Sequence, residues 1–193
     1  MELFERRGYF VCNHCGTFHF VEGTAVDGVR VLLRDAAALP CPLCSHTLAK
    51  SILDDGHAVE HCERCRGLLV QRSTFADVVT LRRARQTGAP VPPAPLDPRE
   101  LERTVTCPSC RQRMDVHPYY GPGNVVIDSC SRCNLVWLDH GELRQIGEAP
   151  GRDRGAPRRV VSPTSAASGA LPSGTTAIPR RTSLMDILAL LFE

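Results

Sequence analysis

All ten cysteines of this 193-residue chain occur in Cys-x-x-Cys pairs, a spacing that lets both sulfurs of one tight turn bind the same metal ion. A tetrahedral ion held by thiolates needs two such pairs facing each other. Five pairs therefore make two complete four-sulfur sites and leave one pair over. The pairs are Cys12/Cys15, Cys41/Cys44, Cys62/Cys65, Cys107/Cys110 and Cys130/Cys133.

An even number of cysteines is also typical of disulfide-bonded secreted domains. Residues 1–7 carry acidic residues and no apolar run, so no signal peptide is visible, and no stretch is long enough to span a bilayer. We therefore expect a cytoplasmic protein in a reducing compartment, where thiols bind metal rather than each other. Iron in a rubredoxin-like site is the main rival to zinc, because its knuckles use the same pairs.

The chain repeats one pattern twice. Residues 41–79 and 107–146 each contain a Cys-Pro-x-Cys pair, a hairpin-like stretch, a second pair, a short apolar run and a helical run. Leu69 in the first copy matches Trp137 in the second, and an arginine precedes the last cysteine of both. These aligned features indicate a duplicated module.

The spacing inside each module predicts its secondary structure. The gap between the two cysteine pairs fits two strands and a turn, and residues 54–56 and 121–124 have turn composition. Residues 135–138 read as a third short strand, after which we expect Asp139 to cap a helix. In the first module Ser73 is the expected helix cap.

The stretch from Cys130 to Leu143 (CSRCNLVWLDHGEL), together with the Cys-Pro-x-Cys opening of each module, resembles the TFIIB-type zinc ribbon of many short bacterial proteins. Its notable departure is Leu135, where that family usually places Gly. The first module keeps the cysteines but lacks the Trp-Leu-Asp-x-Gly-Glu-Leu signature. The resemblance implies a structural zinc site in each module, and zinc ribbons serve in transcription, in RNA modification and in protein docking.

Each module is too small to fold by burial alone, whereas a structural zinc ion contributes on the order of 10–16 kcal/mol in small peptides. We therefore predict a small metal-stabilised α+β fold of tandem zinc ribbons with two zinc ions, or three if the remaining pair also binds metal. The predicted ligands are Cys41, Cys44, Cys62, Cys65, Cys107, Cys110, Cys130 and Cys133, with Cys12 and Cys15 as further candidates. The predicted order is a knuckle-like β segment (1–38), ribbon 1 (39–86), a Pro-rich linker (87–98), ribbon 2 (99–148), a disordered linker (149–182) and a C-terminal docking helix (183–193).

The first pair, Cys12/Cys15, has no partner sulfurs once the other four pairs are assigned to the two predicted sites. One hypothesis completes its site with His14 or His19, and another shares a metal ion across a homodimer. The hypothesis we favour is half of a decayed ribbon whose hairpin survives by packing its aromatic residues. Pairing with Cys41/Cys44 instead would spoil the duplicated pattern, and no βαβ pattern suggests a thioredoxin-like site.

The sequence contains no recognisable catalytic set. Four sulfurs leave no open coordination position on zinc, so we expect a non-enzymatic protein. An acidic pair, Asp54 and Asp55, falls at a predicted hairpin tip and could deliver a metal ion, but Asp-Gly is also the commonest hairpin turn chemistry. His140, in the first turn of a predicted helix, is interpreted as a surface residue.

Charge gives weak support to nucleic-acid binding. The formal charge of +2 counts cysteines as neutral, and filling two four-thiolate sites lowers it to about −2. A phosphate-binding surface needs a clear positive excess, which only the tail and one edge of the first module supply. That edge consists of Arg64, Arg66, Arg72, Arg82, Arg83 and Arg85.

Protein binding is the stronger hypothesis. Residues 183–193 read as a helix that is apolar on nearly every side and follows a long polar tether. We therefore predict an adaptor or regulatory protein that contacts a protein partner through this helix. A nucleic-acid-binding or transcription-associated role is the alternative, and homo-oligomerisation stays open.

Overall fold

The computed structural model describes residues 2–4, 9–20, 27–34 and 38–155, with side chains from residue 9 onward. The predicted C-terminal helix and most of the predicted disordered linker lie outside the described residues. The strands are β1 (Glu2–Phe4), β2 (Tyr9–Val11), β3 (Phe18–Phe20), β4 (Arg30–Leu33), β5 (Ala49–Ile52), β6 (Ala58–His61), β7 (Leu68–Gln71), β8 (Asp115–Pro118), β9 (Val126–Cys130) and β10 (Leu135–Leu138). The helices are α1 (Arg72–Arg85), a 3-10 helix (Pro98–Glu102) and α2 (Glu142–Glu148).

The strands form two antiparallel sheets. A three-stranded sheet has the order β1-β2-β3, and a seven-stranded sheet has the order β4-β5-β6-β7-β10-β9-β8. Each ribbon is a hairpin with a third strand (β5-β6-β7 and β8-β9-β10) followed by an α-helix. The predicted small α+β fold of zinc ribbons is confirmed, including the third strand at Leu135–Leu138.

The two ribbons share one sheet because their third strands pair with each other. In the β7–β10 pair Leu68 lies opposite Leu138 and Leu69 lies opposite Trp137. Leu69 and Trp137 are also equivalent in the repeat, since each lies four residues after the last cysteine of its module. The duplicated modules therefore meet about a local two-fold axis that passes through this residue pair.

Two hydrophobic clusters stabilise the sheet. One cluster joins apolar strand residues to the inward faces of both helices, and it includes Val70, Phe75, Val136, Leu143 and Ile146. The other surrounds the cysteines and contains Leu48, Met114 and Trp137. Trp137 is only 1% exposed, and a Cβ added at Gly67 would overlap its ring. The glycine of the first module thus makes room for the tryptophan of the second.

Neither predicted helix cap is correct. Helix α1 begins at Arg72, directly after β7, and its N-cap residue Gln71 makes no side-chain hydrogen bond. The Arg72 N–H, at the first helical position, bonds the Asn134 carbonyl of the second ribbon at 2.8 Å. Helix α2 has Gly141 as its N-cap, with a left-handed φ of 83°. Because α1 begins at Arg72, the predicted cap Ser73 lies inside that helix.

Asp139 precedes α2 but uses its side chain elsewhere. Its carboxylate accepts hydrogen bonds from Trp137 Nε1 at 2.9 Å and from Arg103 at 2.5 Å. Its backbone N–H donates to Glu142 Oε2 at 2.8 Å, which is one of the two hydrogen bonds of a capping box. Asp139 thus fixes the tryptophan that lies between the two ribbons.

Candidate metal centres

The first ribbon brings four cysteines together. Cys41, Cys44, Cys62 and Cys65 have all their sulfurs within 4.8 Å of one another. Cys41 Sγ lies 3.5 Å from Cys65 Sγ, and Cys44 Sγ lies 3.5 Å from Cys62 Sγ. Two thiolates on a tetrahedral zinc ion with bonds of about 2.3 Å are about 3.8 Å apart. The sulfur positions therefore fit one zinc ion.

The second ribbon repeats this arrangement. The sulfurs of Cys107, Cys110, Cys130 and Cys133 also lie within 4.8 Å of one another, and Cys110 Sγ is 3.7 Å from Cys130 Sγ. Cys107 and Cys130 are buried, whereas Cys110 and Cys133 are half-buried. The two four-cysteine groups suit the two zinc ions predicted from the sequence.

One backbone turn presents these sulfurs. At Cys41, Cys62 and Cys107 the N–H bonds the carbonyl five residues ahead, at 2.7 to 2.9 Å. The carbonyl of the same cysteine accepts the N–H four residues ahead, again at 2.7 to 2.9 Å. The residue after the second cysteine is left-handed in all four ribbon knuckles, namely Ser45, Arg66, Arg111 and Asn134, with φ from 54° to 59°. The knuckle is thus closed by the backbone, with both sulfurs projecting to one point.

The thiols at this distance cannot all ionise unaided, because like charges repel. Contact with Cys41 lowers the pKa of Cys62 to about 2, whereas contact with Cys41 raises the pKa of Cys65. In the second group the backbone N–H of Gln112 is the main cause that lowers the pKa of Cys110 to about 7. A divalent cation bound at each centre would offset the negative charge of the thiolates and so reduce the repulsion between them. The donor set, four sulfurs and no oxygen, is typical of structural zinc.

Cys12 and Cys15 do not join either centre. Among the described residues, the only groups of three or more ligand atoms close enough for one ion are the two ribbon centres. Neither His14 nor His19 completes a site with this pair, and the alternative pairing with Cys41/Cys44 is excluded because those sulfurs face Cys62 and Cys65.

The N-terminal hairpin packs its aromatic residues as predicted. The Tyr9 ring contacts those of Phe18 and Phe20 edge-on, with centroids 5.3 and 5.7 Å away. The hairpin also contacts ribbon 1: Arg66 lies over the Phe20 ring at 3.8 Å, and Arg64 Nη2 donates to the Gly16 carbonyl at 3.3 Å.

The interpretation of His140 as a surface residue is wrong. It is 2% exposed, and its ring contacts Phe20 edge-on with centroids 4.8 Å apart. Burial, followed by the nearby positive charges of Arg66 and Arg144, lowers the pKa of His140 to about 4. The N-terminal hairpin covers this residue, and no local pattern in the sequence could have shown that contact.

The acidic pair at the first hairpin tip is occupied by internal contacts. Arg82 Nε donates to Asp55 at 3.0 Å, and Arg82 Nη2 donates to Asp54 at 3.2 Å and to the Asp27 carbonyl at 2.7 Å. His57 Nδ1 lies 2.8 Å from Asp55. These contacts fix the turn to α1, which explains the pair without metal delivery.

The two closed four-cysteine centres on β-hairpins define a zinc-ribbon protein. Residues 106–149 match the family model described as transcription factor zinc-finger, the TFIIB-type zinc ribbon. The match contains the whole second centre, and the first centre fits a second zinc-ribbon module. No curated protein and no solved structure matches the chain. None of the described helices combines the length and apolar character that crossing a membrane requires.

Proposed function

We propose that this zinc-ribbon protein is a non-catalytic adaptor that binds a protein partner through an apolar patch on the edge strand β4. The patch consists of Leu32 and Leu33, whose side chains are 60% and 53% exposed. Most large apolar side chains of the described residues are buried, so two adjacent exposed leucines need an explanation. Contact with an apolar segment of a partner supplies one.

The backbone of β4 accounts for this exposure. Its register against β5 shifts between Val31 and Leu33, which leaves Leu32 as an extra residue. Such a bulge re-aims a side chain, so that neighbouring leucines both reach solvent. In the part of the chain that the structure describes, no strand pairs with the outer side of β4. Arg34 beside the patch is bound to Glu63, with the two charged groups 2.8 Å apart.

The zinc centres support the same proposal. Each centre offers four protein sulfurs, so a zinc ion bound there would have no open position for water or substrate. The ions serve to hold the sheet that carries the patch. The predicted docking helix at 183–193 lies outside the described residues and is a separate hypothesis for partner binding.

A capture experiment with matched variants tests the patch. Zinc-loaded full-length protein is incubated with lysate, retained proteins are identified, and the strongest is purified for titration. We expect the Leu32→Ser/Leu33→Ser variant to bind it at least about tenfold more weakly, or about 1.4 kcal/mol. Val91→Ser is the control, because Val91 is 52% exposed and lies in the linker, outside the patch. Equal loss in both variants, or in neither, contradicts the proposal.

Nucleic-acid binding is the second candidate, and the family description, transcription factor zinc-finger, favours it. The arginines first considered for it are partly unavailable: Arg82 binds the acidic turn, and Arg83 is fully buried. Exposed arginines remain on the knuckles, among them Arg64 and Arg132. Salt-sensitive binding of DNA or RNA that weakens in Arg64→Ala/Arg132→Ala, but not in Leu32→Ser/Leu33→Ser, would favour this candidate.

A further inference from the structure

The Cys12/Cys15 turn has the same backbone as the ribbon knuckles that hold the metal centres. The Cys12 N–H bonds the Thr17 carbonyl at 2.9 Å, and the Gly16 N–H bonds the Cys12 carbonyl at 2.7 Å. Gly16 is left-handed with φ of 65°, as are the corresponding residues of the ribbon knuckles. The turn is therefore already shaped to present two sulfurs to one metal ion.

This knuckle is exposed where the others are covered. Residues 13–17 are exposed and Cys12 is half-buried, whereas Cys62 and Cys107 are fully buried. Among the described residues, no third cysteine, histidine or carboxylate lies close enough to bind the same ion as this pair. The site is thus half complete, and its open side faces solvent.

The ribbons show what fits that open side. In the first centre two knuckles of this backbone type, at Cys41 and Cys62, face each other with sulfurs 3.5 Å apart. A knuckle of this shape is therefore complementary to another of the same shape around one ion. A second copy of the chain offers that knuckle, and a two-fold symmetric contact brings the two together.

We propose that Cys12 and Cys15 form half of a third zinc site, and that Cys12 and Cys15 of a second copy complete it. The bridging ion has four thiolate ligands, the donor set that zinc prefers in closed sites. Arg64, whose guanidinium binds the Gly16 carbonyl, places a positive charge beside each half-site and offsets part of the thiolate charge. The partner is thus a copy of this chain, joined through the metal.

Native mass spectrometry and light scattering of the zinc-loaded full chain test this site. We expect a dimer with five zinc ions, two in each chain and one shared, and a monomer with two ions after mild chelation. Cys12→Ser/Cys15→Ser should be a monomer that keeps two ions at every zinc concentration. His14→Ala is the matched control, since His14 lies in the same exposed turn and is expected to leave dimer and ion count unchanged.

Three results would overturn the proposal. A wild-type monomer with two ions shows that the pair binds no metal, and a monomer with three ions shows that ligands within one chain complete the site. A dimer that persists with four ions in Cys12→Ser/Cys15→Ser shows that association is independent of this pair. A Cys12–Cys15 disulfide in protein purified under reducing conditions, seen as the loss of two hydrogen masses, excludes the half-site as well.

Discussion

Leu69 and Trp137 lie opposite each other in the β7–β10 strand pair and occupy equivalent positions of the duplicated module. A residue pair with both properties marks the local two-fold axis. The ribbons therefore meet as the two halves of a symmetric dimer would, within one chain and one sheet. Gly67 and Leu135 are also equivalent positions of the two modules. Because Gly67 has no side chain, the Trp137 ring can pack directly against it.

Substitution of Gly67 tests this fit. We expect Gly67→Ala to lower the free energy of unfolding by about 1–3 kcal/mol, because the added methyl group overlaps the buried Trp137 ring. Chemical denaturation followed by the fluorescence of Trp137, the only tryptophan, measures this change. Gly88→Ala is the control, since a Cβ at Gly88 meets no atom within 4 Å. Similar stabilities of the two variants would show that the ring moves aside freely.

The cysteine pairs and the local strand signals predict most of each ribbon. Metal-ligand spacing together with the repeat predicts which sulfurs meet, and the apolar run Leu135–Leu138 is a strand as expected. The sequence does not reveal that β7 pairs with β10, because nothing local to either strand selects its partner. The joining of the two ribbons into one sheet depends on tertiary contacts between residues that are distant in sequence.

The roles of the charged residues could be predicted less well. The sequence places Arg83 on a basic edge of a helix, but in the structure this residue is fully buried. Its guanidinium donates hydrogen bonds to the Ile146 and Ala149 carbonyls at the end of α2, which compensate for its burial. His140 reads as a polar surface residue, yet the N-terminal hairpin covers it. In both cases the partner is distant in sequence, and composition alone cannot distinguish a buried cation from a solvated one.

Loss of one metal centre should weaken both ribbons. Cys62→Ser removes a buried thiolate, and a structural zinc ion contributes on the order of 10–16 kcal/mol in small peptides. We expect this variant to lose one ion and to exchange amide hydrogens faster in β10 as well as in β7, because these strands are hydrogen-bonded to each other. Native mass spectrometry counts the ions, and hydrogen exchange maps the protection.

His14→Ala is the control for that experiment, because His14 is exposed and belongs neither to a ribbon centre nor to the Cys12/Cys15 pair. Both ribbon ions should remain, with β7 and β10 protected as in the wild type. Wild-type protection of β10 in Cys62→Ser would mean that the second ribbon folds independently of the first.

Arg83 should be important for stability. Its Nη1 donates to the Ile146 carbonyl at 2.6 Å and to the Ala149 carbonyl at 3.0 Å, and Asp153 binds the same guanidinium. Arg83→Met keeps much of the side-chain volume but leaves these carbonyls unpaired, so we expect a loss of about 3 kcal/mol or more. Denaturation midpoints measure it.

Arg85→Met, on the same turn but exposed, should change the free energy of unfolding by no more than about 0.5 kcal/mol. If Arg83→Met were as stable as Arg85→Met, the buried guanidinium would be dispensable for holding α2 against α1.

His140 should make stability depend on pH. Burial and neighbouring cations hold its folded-state pKa at about 4, below the ordinary value of 6.5, so the folded protein contains the neutral ring. The unfolded chain takes up a proton first as the pH falls. The contribution of His140 is therefore complete above pH 6.5 and is lost between 6.5 and about 4. From pH 7 to pH 5 the expected loss is about 2 kcal/mol.

His140→Phe separates this effect from protonation of the thiolates, because both proteins contain the same metal centres. A phenyl ring can keep the edge-on contact with Phe20 but cannot bind a proton. The free energy of unfolding of the variant should thus fall less than that of the wild type between pH 7 and pH 5, under matched zinc concentrations. Equal decreases in the free energy of unfolding of the two proteins would contradict the prediction. They would mean that protonation of His140 does not favour the unfolded chain, although the ring is buried beneath the N-terminal hairpin in the folded protein.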